Sequence, residues 1–142
     1  MDSALRQYED RLKSKKISST KPRKAVFKAL FNSGHTPLST SELIKLCETG
    51  ADRASIYRSI DRLESAGIIK RVNHGFKYKL ELSDEFHGHH HHIACTKCSG
   101  LLAIPDSLKL EIAINEMAEA QGYQATSHQI EIYRLCPYCQ EK

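Results

Sequence analysis

Four cysteines in the C-terminal half of this 142-residue chain form two Cys-x-x-Cys pairs, Cys95 with Cys98 and Cys136 with Cys139. A Cys-x-x-Cys turn directs both sulfurs toward one point, and two such turns make a tetrahedral sulfur cage that suits Zn²⁺ and leaves no open position. The spacing therefore predicts a closed, structural zinc site. A thioredoxin-like redox pair and an iron–sulfur cluster are the alternatives, but neither pair opens a helix in a βαβ context.

A run of four histidines, His89–His92, precedes the first cysteine pair. Side chains alternate faces along an extended segment, so His89 and His91 point one way and His90 and His92 the other. One run can thus feed two metal sites. The first predicted regulatory set is His89, His91, Glu111 and His128. The second predicted set is Glu81, His90 and His92 with His35, or with His74 in its place.

Mixed nitrogen and oxygen ligands suit Zn²⁺, Fe²⁺, Mn²⁺ or Ni²⁺ and hold them more reversibly than a thiolate cage does. The two histidine sets are therefore predicted to be regulatory sites and the cysteine set a structural one. The alternative for the histidines is a solvated tract that binds metal fortuitously. If the second set takes groups from both halves of the chain, metal would restrain the joint at 82–88 and set the spacing of two DNA-reading heads in a dimer.

The cysteine count and the apolar pattern limit where the protein works. The N-terminus is polar and does not resemble a signal peptide, and no apolar run approaches the roughly 20 residues that span a bilayer. We therefore expect a cytoplasmic protein with no membrane partner and no disulfide framework. The fifth cysteine, Cys47, stands alone in a helical stretch and is predicted to be a small buried apolar residue.

The elements that must position these ligands follow from periodicity and capping signals. Helices are expected at 3–15, after Pro22, at 40–46 behind a capping box at Ser39, and at 52–66, followed by a hairpin over 68–80. This order is typical of a winged helix-turn-helix. Strands at 93–95, 101–104 and 126–135 and a helix at 107–121 make a small α/β unit. We predict an α+β fold with a winged-helix DNA-binding domain at 1–83 and a metal-binding dimerisation domain at 84–142.

Charge is divided unequally between the two halves. The first 79 residues carry 17 Lys and Arg against 8 Asp and Glu, and the remainder carries 4 against 9. A basic half can neutralise the phosphates of double-stranded DNA. A winged fold can also serve as a protein-binding module, and uneven surface charge can be incidental. The predicted DNA-binding residues lie near the second helix and on the helix at 52–66, and they are Lys15, Arg23, Arg53, Ser55, Tyr57 and Arg58.

From about Lys15 to Cys139 the sequence closely resembles the ferric uptake regulator (Fur) family. The resemblance rests on the basic segment 16–23, the run Ala-Ser-Ile-Tyr-Arg at 54–58, the histidine run, and the two cysteine pairs. It implies winged-helix heads on a dimerisation domain, a homodimer, inverted-repeat operators of metal-uptake genes, and repression when metal-loaded. It also implies DNA contacts for Tyr57 and Arg58, and metal contacts for His89, His91 and His128.

Three features favour a zinc-sensing branch of that family. Lys79 stands where the iron-sensing branch commonly has glutamate. Glu81 is placed more like the ligand of zinc-sensing members, as is the unbroken four-histidine run. We therefore expect a zinc-responsive repressor, with structural Zn²⁺ and regulatory Zn²⁺ or Fe²⁺/Mn²⁺. An iron-, manganese- or peroxide-responsive regulator is the alternative. A small zinc-dependent hydrolase is less favoured, because the sequence shows no substrate domain; we expect no enzyme and no small-molecule substrate beyond metal ions.

Overall fold

A computed structural model describes residues 1–47, 50–74 and 76–142 of the chain. The chain divides into two compact units, Met1–Gly88 and His89–Lys142. Position 49, between the helices expected at 40–46 and 52–66, and position 75, within the hairpin expected over 68–80, lie outside the described residues. Within the described ranges, no helix is long and apolar enough to cross a membrane.

Unit 1 is a winged helix. Its elements are α1 (Asp2–Ser14), α2 (Lys21–Asn32), α3 (Thr40–Leu46), α4 (Arg53–Ser65), β1 (Ile69–His74), β2 (Lys77–Leu82) and α5 (Asp84–His87). Strands β1 and β2 pair antiparallel, with Lys70 opposite Glu81. A bridge between Leu38 and Leu80 ties the loop before α3 to the hairpin, because each N–H donates to the other's carbonyl at 2.8 and 2.7 Å.

Local signals in the sequence explain where the helices begin. Thr20 and Asp52 accept hydrogen bonds from the third backbone N–H beyond them, at the starts of α2 and α4. The predicted capping box at α3 is confirmed, since Ser39 and Glu42 exchange both side-chain bonds. These bonds satisfy N–H groups that the first helical turn leaves unpaired. The cap at Asp52 therefore fixes where α4 begins and which of its side chains are exposed.

One apolar core holds unit 1 together. Tyr8 of α1 lies against Phe27 of α2 with ring centroids 4.6 Å apart, and Phe86 meets Phe27 edge-on at 5.2 Å. From α4, Ile56, Ile60 and Leu63 are buried, as the helical spacing predicted. The core therefore fixes one face of α4, and the opposite face is left for function.

The end of unit 1 differs from the expected polar joint at 82–88. Asp84–His87 forms the short helix α5. Unit 1 extends to Gly88, so the domain boundary predicted after residue 83 falls within unit 1, just before α5. Several contacts hold the segment there: Arg11 forms an ion pair with Glu85, Lys70 forms one with Asp84, and Phe86 packs on the core. Gly88 then breaks the helix with φ at +79°, a conformation that favours glycine.

Unit 2 is a small α/β unit around a three-stranded sheet. Its elements are β3 (His90–Cys95), β4 (Leu101–Pro105), α6 (Leu108–Ala120), β5 (Glu131–Arg134) and α7 (Pro137–Gln140). Strand β3 is central, antiparallel to β4 and parallel to β5. The histidine run therefore enters the middle of the sheet.

Two details of unit 2 depart from the sequence-based expectation. Strand β5 begins at Glu131 and not near 126, because pairing with β3 starts where Glu131 meets His92. The apolar side predicted for α6 is only partly covered, with Leu108 and Met117 76% and 70% exposed. An apolar repeat identifies a face that favours burial, but it does not say which surface covers it.

Candidate metal centres

The four cysteines of the two pairs come together in unit 2. One sulfur from each of Cys95, Cys98, Cys136 and Cys139 lies within 4.8 Å of every other. Cys95 ends β3, and Cys139 is carried by α7. Zn–S bonds of about 2.3 Å in a tetrahedron put sulfurs about 3.8 Å apart, and the Sγ atoms of Cys98 and Cys136 are 3.8 Å apart. The residues present therefore fit a tetrahedral zinc ion.

The thiols of this group differ in how readily they ionise. Backbone N–H groups, those of Cys98 first and then of Cys136 and Lys97, lower the pKa of the Cys95 thiol to about 6. Burial raises the pKa of the Cys139 thiol to about 12, and the neighbouring sulfurs add to the rise. At neutral pH, Cys95 is a ready thiolate ligand. The Cys139 thiol keeps its proton until a metal binds the sulfur, and it then releases that proton to the solvent. Metal affinity must therefore fall as the pH drops.

A second ligand group in unit 2 contains all four residues of the first predicted regulatory set, His89, His91, Glu111 and His128. The Nε2 atoms of His89 and His128 are 3.0 Å apart. Oε1 of Glu111 lies 3.0 Å from Nε2 of His91 and 3.1 Å from Nε2 of His128. The ligand atoms of a tetrahedral zinc site with bonds of about 2.0 Å are about 3.3 Å apart. These four side chains are therefore spaced to share one small divalent ion.

Three separate segments supply this histidine–glutamate group. His89 and His91 belong to the run that leads into β3, Glu111 is in the first turn of α6, and His128 lies in the extended segment before β5. Burial opposes ionisation of Glu111, but hydrogen bonds with His91 and His128 offset it and lower the pKa of this carboxyl. The group thus offers a carboxylate and three imidazoles, which is a nitrogen-rich set for a borderline metal.

Residues of the second predicted set are found in both units. In unit 2, His90 and His92 are buried with ring centroids 4.9 Å apart, while His89 and His91 pair at 4.7 Å. In unit 1, Glu81 is buried on β2 and forms an ion pair with Lys70, and the His35 ring lies 5.5 Å from that of His87. Shared ligation by this set stays a prediction.

The residues predicted to contact DNA lie in unit 1 and leave polar groups accessible. Tyr57 is 49% exposed, and Arg58 is exposed with a guanidinium N–H that donates to Ser55 Oγ at 3.1 Å. Arg53 is the first residue of α4 and is exposed, and Lys15, the C-cap residue of α1, is also exposed. Arg and Ser on one exposed helix face suit base edges and phosphates in a major groove.

A pocket of about 430 Å³ joins this face of α4 to the start of α2. Arg23 lines it, and its Nη1 donates to the Ser18 carbonyl at 2.6 Å. In the sequence, Arg23 and the α4 residues form separate clusters. Their shared pocket depends on how α2 packs on α4, which local sequence patterns do not predict. The side chains that line it are Thr20, Pro22, Arg23, Ser55, Arg58, Ser59, Asp61 and Arg62.

A winged helix with an exposed Arg- and Ser-bearing helix, in one chain with two ligand groups fit for metal, defines a class of protein: a metal-responsive transcriptional regulator. Comparison with known families agrees with this class. The profile of the Ferric uptake regulator family matches residues 14–133. This chain belongs to the ferric uptake regulator family.

Relatives match nearly the whole chain. The ferric uptake regulation protein of Legionella pneumophila is 33% identical over 138 residues, which cover 94% of this chain and 99% of that protein. The ferric uptake regulator of Francisella tularensis, solved with iron, has a TM-score of 0.73 at 26% identity and covers 87% of this chain and 95% of its own. The Helicobacter pylori regulator has a TM-score of 0.80 at 24% identity, over 99% of this chain and 94% of its own, and shows the shared fold.

Membership settles several expectations. The α+β architecture and the family resemblance are confirmed. The protein is a metal-responsive, DNA-binding transcriptional regulator and not an enzyme, so the hydrolase alternative is set aside.

The cysteine group predicts a contrast between two Cys→Ser variants. Cys136→Ser removes one of four clustered ligands and should lose one tightly bound Zn²⁺ per chain, lowering the thermal stability of unit 2. Cys47→Ser is the matched control, since Cys47 lies outside the group and packs against the core of unit 1. Native mass spectrometry counts the zinc, and thermal unfolding measures stability. Equal zinc content in both variants would contradict the assignment.

The histidine–glutamate group makes a second prediction, on helix α6. Glu111→Gln removes the charged ligand and should weaken metal binding at this group by at least about tenfold, a loss typical of altered metal sites. Glu116→Gln is the control, because Glu116 is exposed on the same helix and outside the group. Titration against a chelator of known affinity measures the change. Indistinguishable affinities for the two variants would remove Glu111 from the ligand set.

Proposed function

We propose that this chain is a homodimeric repressor that, when loaded with metal, binds inverted-repeat operators of metal-uptake genes, and that zinc is its regulatory metal. The observation that carries the proposal is the group of three imidazoles and one carboxylate, formed by His89, His91, Glu111 and His128. Its ligands can release a metal ion more readily than four thiolates can. We assign sensing to this group and structural zinc to the cysteines.

The DNA-binding part of the proposal is supported by the surface of unit 1. Arg58 and Ser55 can read base edges, Tyr57 can bond phosphate or a base edge, and Arg23 lies in the pocket beside them. Lys15 follows α1, where an exposed basic side chain can reach a phosphate or a narrow minor groove. Arg53, at the exposed start of α4, completes the proposed set.

Homodimerisation is supported by apolar surface on unit 2. Leu108, Ile112 and Met117 of α6 are 76%, 48% and 70% exposed in the single chain. Leu108 and Ile112 are four residues apart and share one face of α6, and an exposed apolar face of a helix is usually covered by a partner. A second copy of the chain is the partner we propose, because an inverted-repeat operator presents two identical half-sites to a two-fold symmetric protein.

Zinc and iron are the two candidate regulatory metals. The ligand types suit both metals, and zinc is favoured by the unbroken four-histidine run and by Glu81, which are placed as in the zinc-sensing members that the sequence resembles. Iron is the second candidate, because the Legionella pneumophila relative is named a ferric uptake regulation protein. Glu81, His90 and His92, with His35 as a further candidate, are our proposed second regulatory set.

The proposal predicts metal-dependent operator binding. An operator is first selected from a random duplex pool with metal-loaded protein. Fluorescence anisotropy is then measured anaerobically against buffered free Zn²⁺ or Fe²⁺, at several salt concentrations. Tight binding should require metal and should fall steeply with salt. Equal binding by metal-free protein would overturn the repressor mechanism, whereas a response to Fe²⁺ alone would overturn only the choice of zinc.

A separate prediction concerns Arg58. Arg58→Ala should weaken operator binding about 10- to 100-fold, as expected for loss of a base contact of roughly 1–3 kcal/mol. Lys109→Ala serves as the control, because Lys109 is an exposed cation on α6 of unit 2. Both variants are assayed on the same selected duplex with saturating metal. If both affinities stay at the wild-type value, α4 does not read the operator through Arg58.

A further inference from the structure

Lys70 lies between two carboxylates at the base of the hairpin in unit 1. In the β1–β2 register Lys70 is directly opposite Glu81. Its Nζ atom is 3.2 Å from Oε1 of Glu81 and 2.5 Å from Oδ1 of Asp84, at the start of α5. One ammonium group thus bridges a strand carboxylate and a helix carboxylate.

The two carboxylates differ strongly in burial. The Glu81 side chain is 1% exposed, that of Lys70 is 23% exposed, and that of Asp84 is 41% exposed. A carboxylate that is shut off from water is costly unless a cation compensates its charge. Glu81 therefore depends on a nearby cation, whereas Asp84 can be solvated. In this arrangement the ammonium group of Lys70 compensates the charge of the Glu81 carboxylate.

We propose that Lys70 is an internal competitor for the regulatory metal ion at Glu81, and that Asp84 retains the Lys70 ammonium when a metal takes Glu81. The inference rests on the proposed role of Glu81 as a ligand of the second regulatory set. A divalent ion and an ammonium group at one carboxylate repel each other, so metal binding at Glu81 displaces Lys70. Metal affinity is then lowered by the free energy of the Lys70–Glu81 contact.

The side chain of Lys70 is suited to this exchange. Lysine is a point charge on a flexible four-carbon stem with three rotatable donors, so it can leave one carboxylate and keep another. Asp84 provides the second partner within the same unit, and its exposure lets it stay charged in either state. Asp84 therefore reduces the cost of displacing Lys70. The pair of contacts sets the metal concentration at which the regulator responds.

The inference predicts opposite shifts for two variants. Lys70→Met removes the competitor and should tighten Zn²⁺ binding at the Glu81-dependent step roughly tenfold. Asp84→Asn removes the other carboxylate that Lys70 contacts, so Lys70 pairs with Glu81 alone. This variant should weaken Zn²⁺ binding at the same step roughly threefold. Lys45→Met is the control, since Lys45 is an exposed lysine of α3 and its loss makes the same change in charge.

The experiment titrates full-length protein with chelator-buffered Zn²⁺ after the cysteine group is filled, without DNA. Glu81→Gln first identifies the binding step that needs Glu81. Thermal unfolding without regulatory metal gives a second readout: Lys70→Met should unfold about 5 °C lower, because buried Glu81 loses its ion pair with Lys70. Lower stability of the metal-free protein together with tighter metal binding is a pattern that a purely structural role for Lys70 would not produce.

The outcomes distinguish metal ligation by Glu81 from competition by Lys70. If no step is lost in Glu81→Gln, the proposed second set is wrong and the inference fails with it. If that step exists but Lys70→Met and Asp84→Asn bind Zn²⁺ as wild type does, competition by Lys70 is overturned and the role of Glu81 stands. If Lys70→Met does not fold, Asp84→Asn decides alone: weaker binding supports competition, and unchanged or tighter binding refutes it.

Discussion

The alternation of side chains along β3 is the constraint on which the rest of unit 2 depends. One extended segment presents His89 and His91 to the group that contains Glu111, and the same strand ends at Cys95 in the sulfur group. Pairing with β4 on one side and β5 on the other fixes this register. A slip by one residue would exchange the two histidine faces and move the cysteine off its partners. Because both groups depend on one register, metal bound at either group stabilises the strand that serves the other.

The sequence predicts best what is local. The two cysteine pairs come together as their spacing predicted, because each turn is closed within four residues. Glu111 and His128 lie further along the chain than the histidine run, and the structure brings both to His89 and His91. The short helix α5 could not be predicted from the sequence, because Phe86 holds it by packing on a core assembled from distant segments. The exposure of apolar side chains on α6 could not be predicted either, since periodicity identifies an apolar face but not the surface that covers it.

Two chemically different ligand sets in one small unit suit the structural and regulatory roles that we propose for them. Four thiolates around Zn²⁺ would form a closed cage with ligands from both cysteine pairs of unit 2, and such a cage contributes directly to folding free energy. Three imidazoles and a carboxylate carry less negative charge and exchange metal more readily. A sensor needs that reversibility, but a unit of this size has too small a core to tolerate loss of its structural metal. Keeping the two sets on one strand meets both requirements.

Strand β1 connects charge at the hairpin to the helix proposed to read DNA. Lys70 faces Glu81, while its neighbour Arg71 holds Glu64 of α4 through two bonds of 2.7 and 2.9 Å and lies over the Tyr78 ring. Alternation along a strand puts these two cations on opposite faces, so a change at one is felt by the backbone that carries the other. Allosteric coupling typically amounts to about 1–3 kcal/mol, which is less than the roughly 3–5 kcal/mol that loss of one partner from a buried ion pair costs. In the proposed mechanism, metal at Glu81 would therefore act on α4 through β1 and the contact between Arg71 and Glu64.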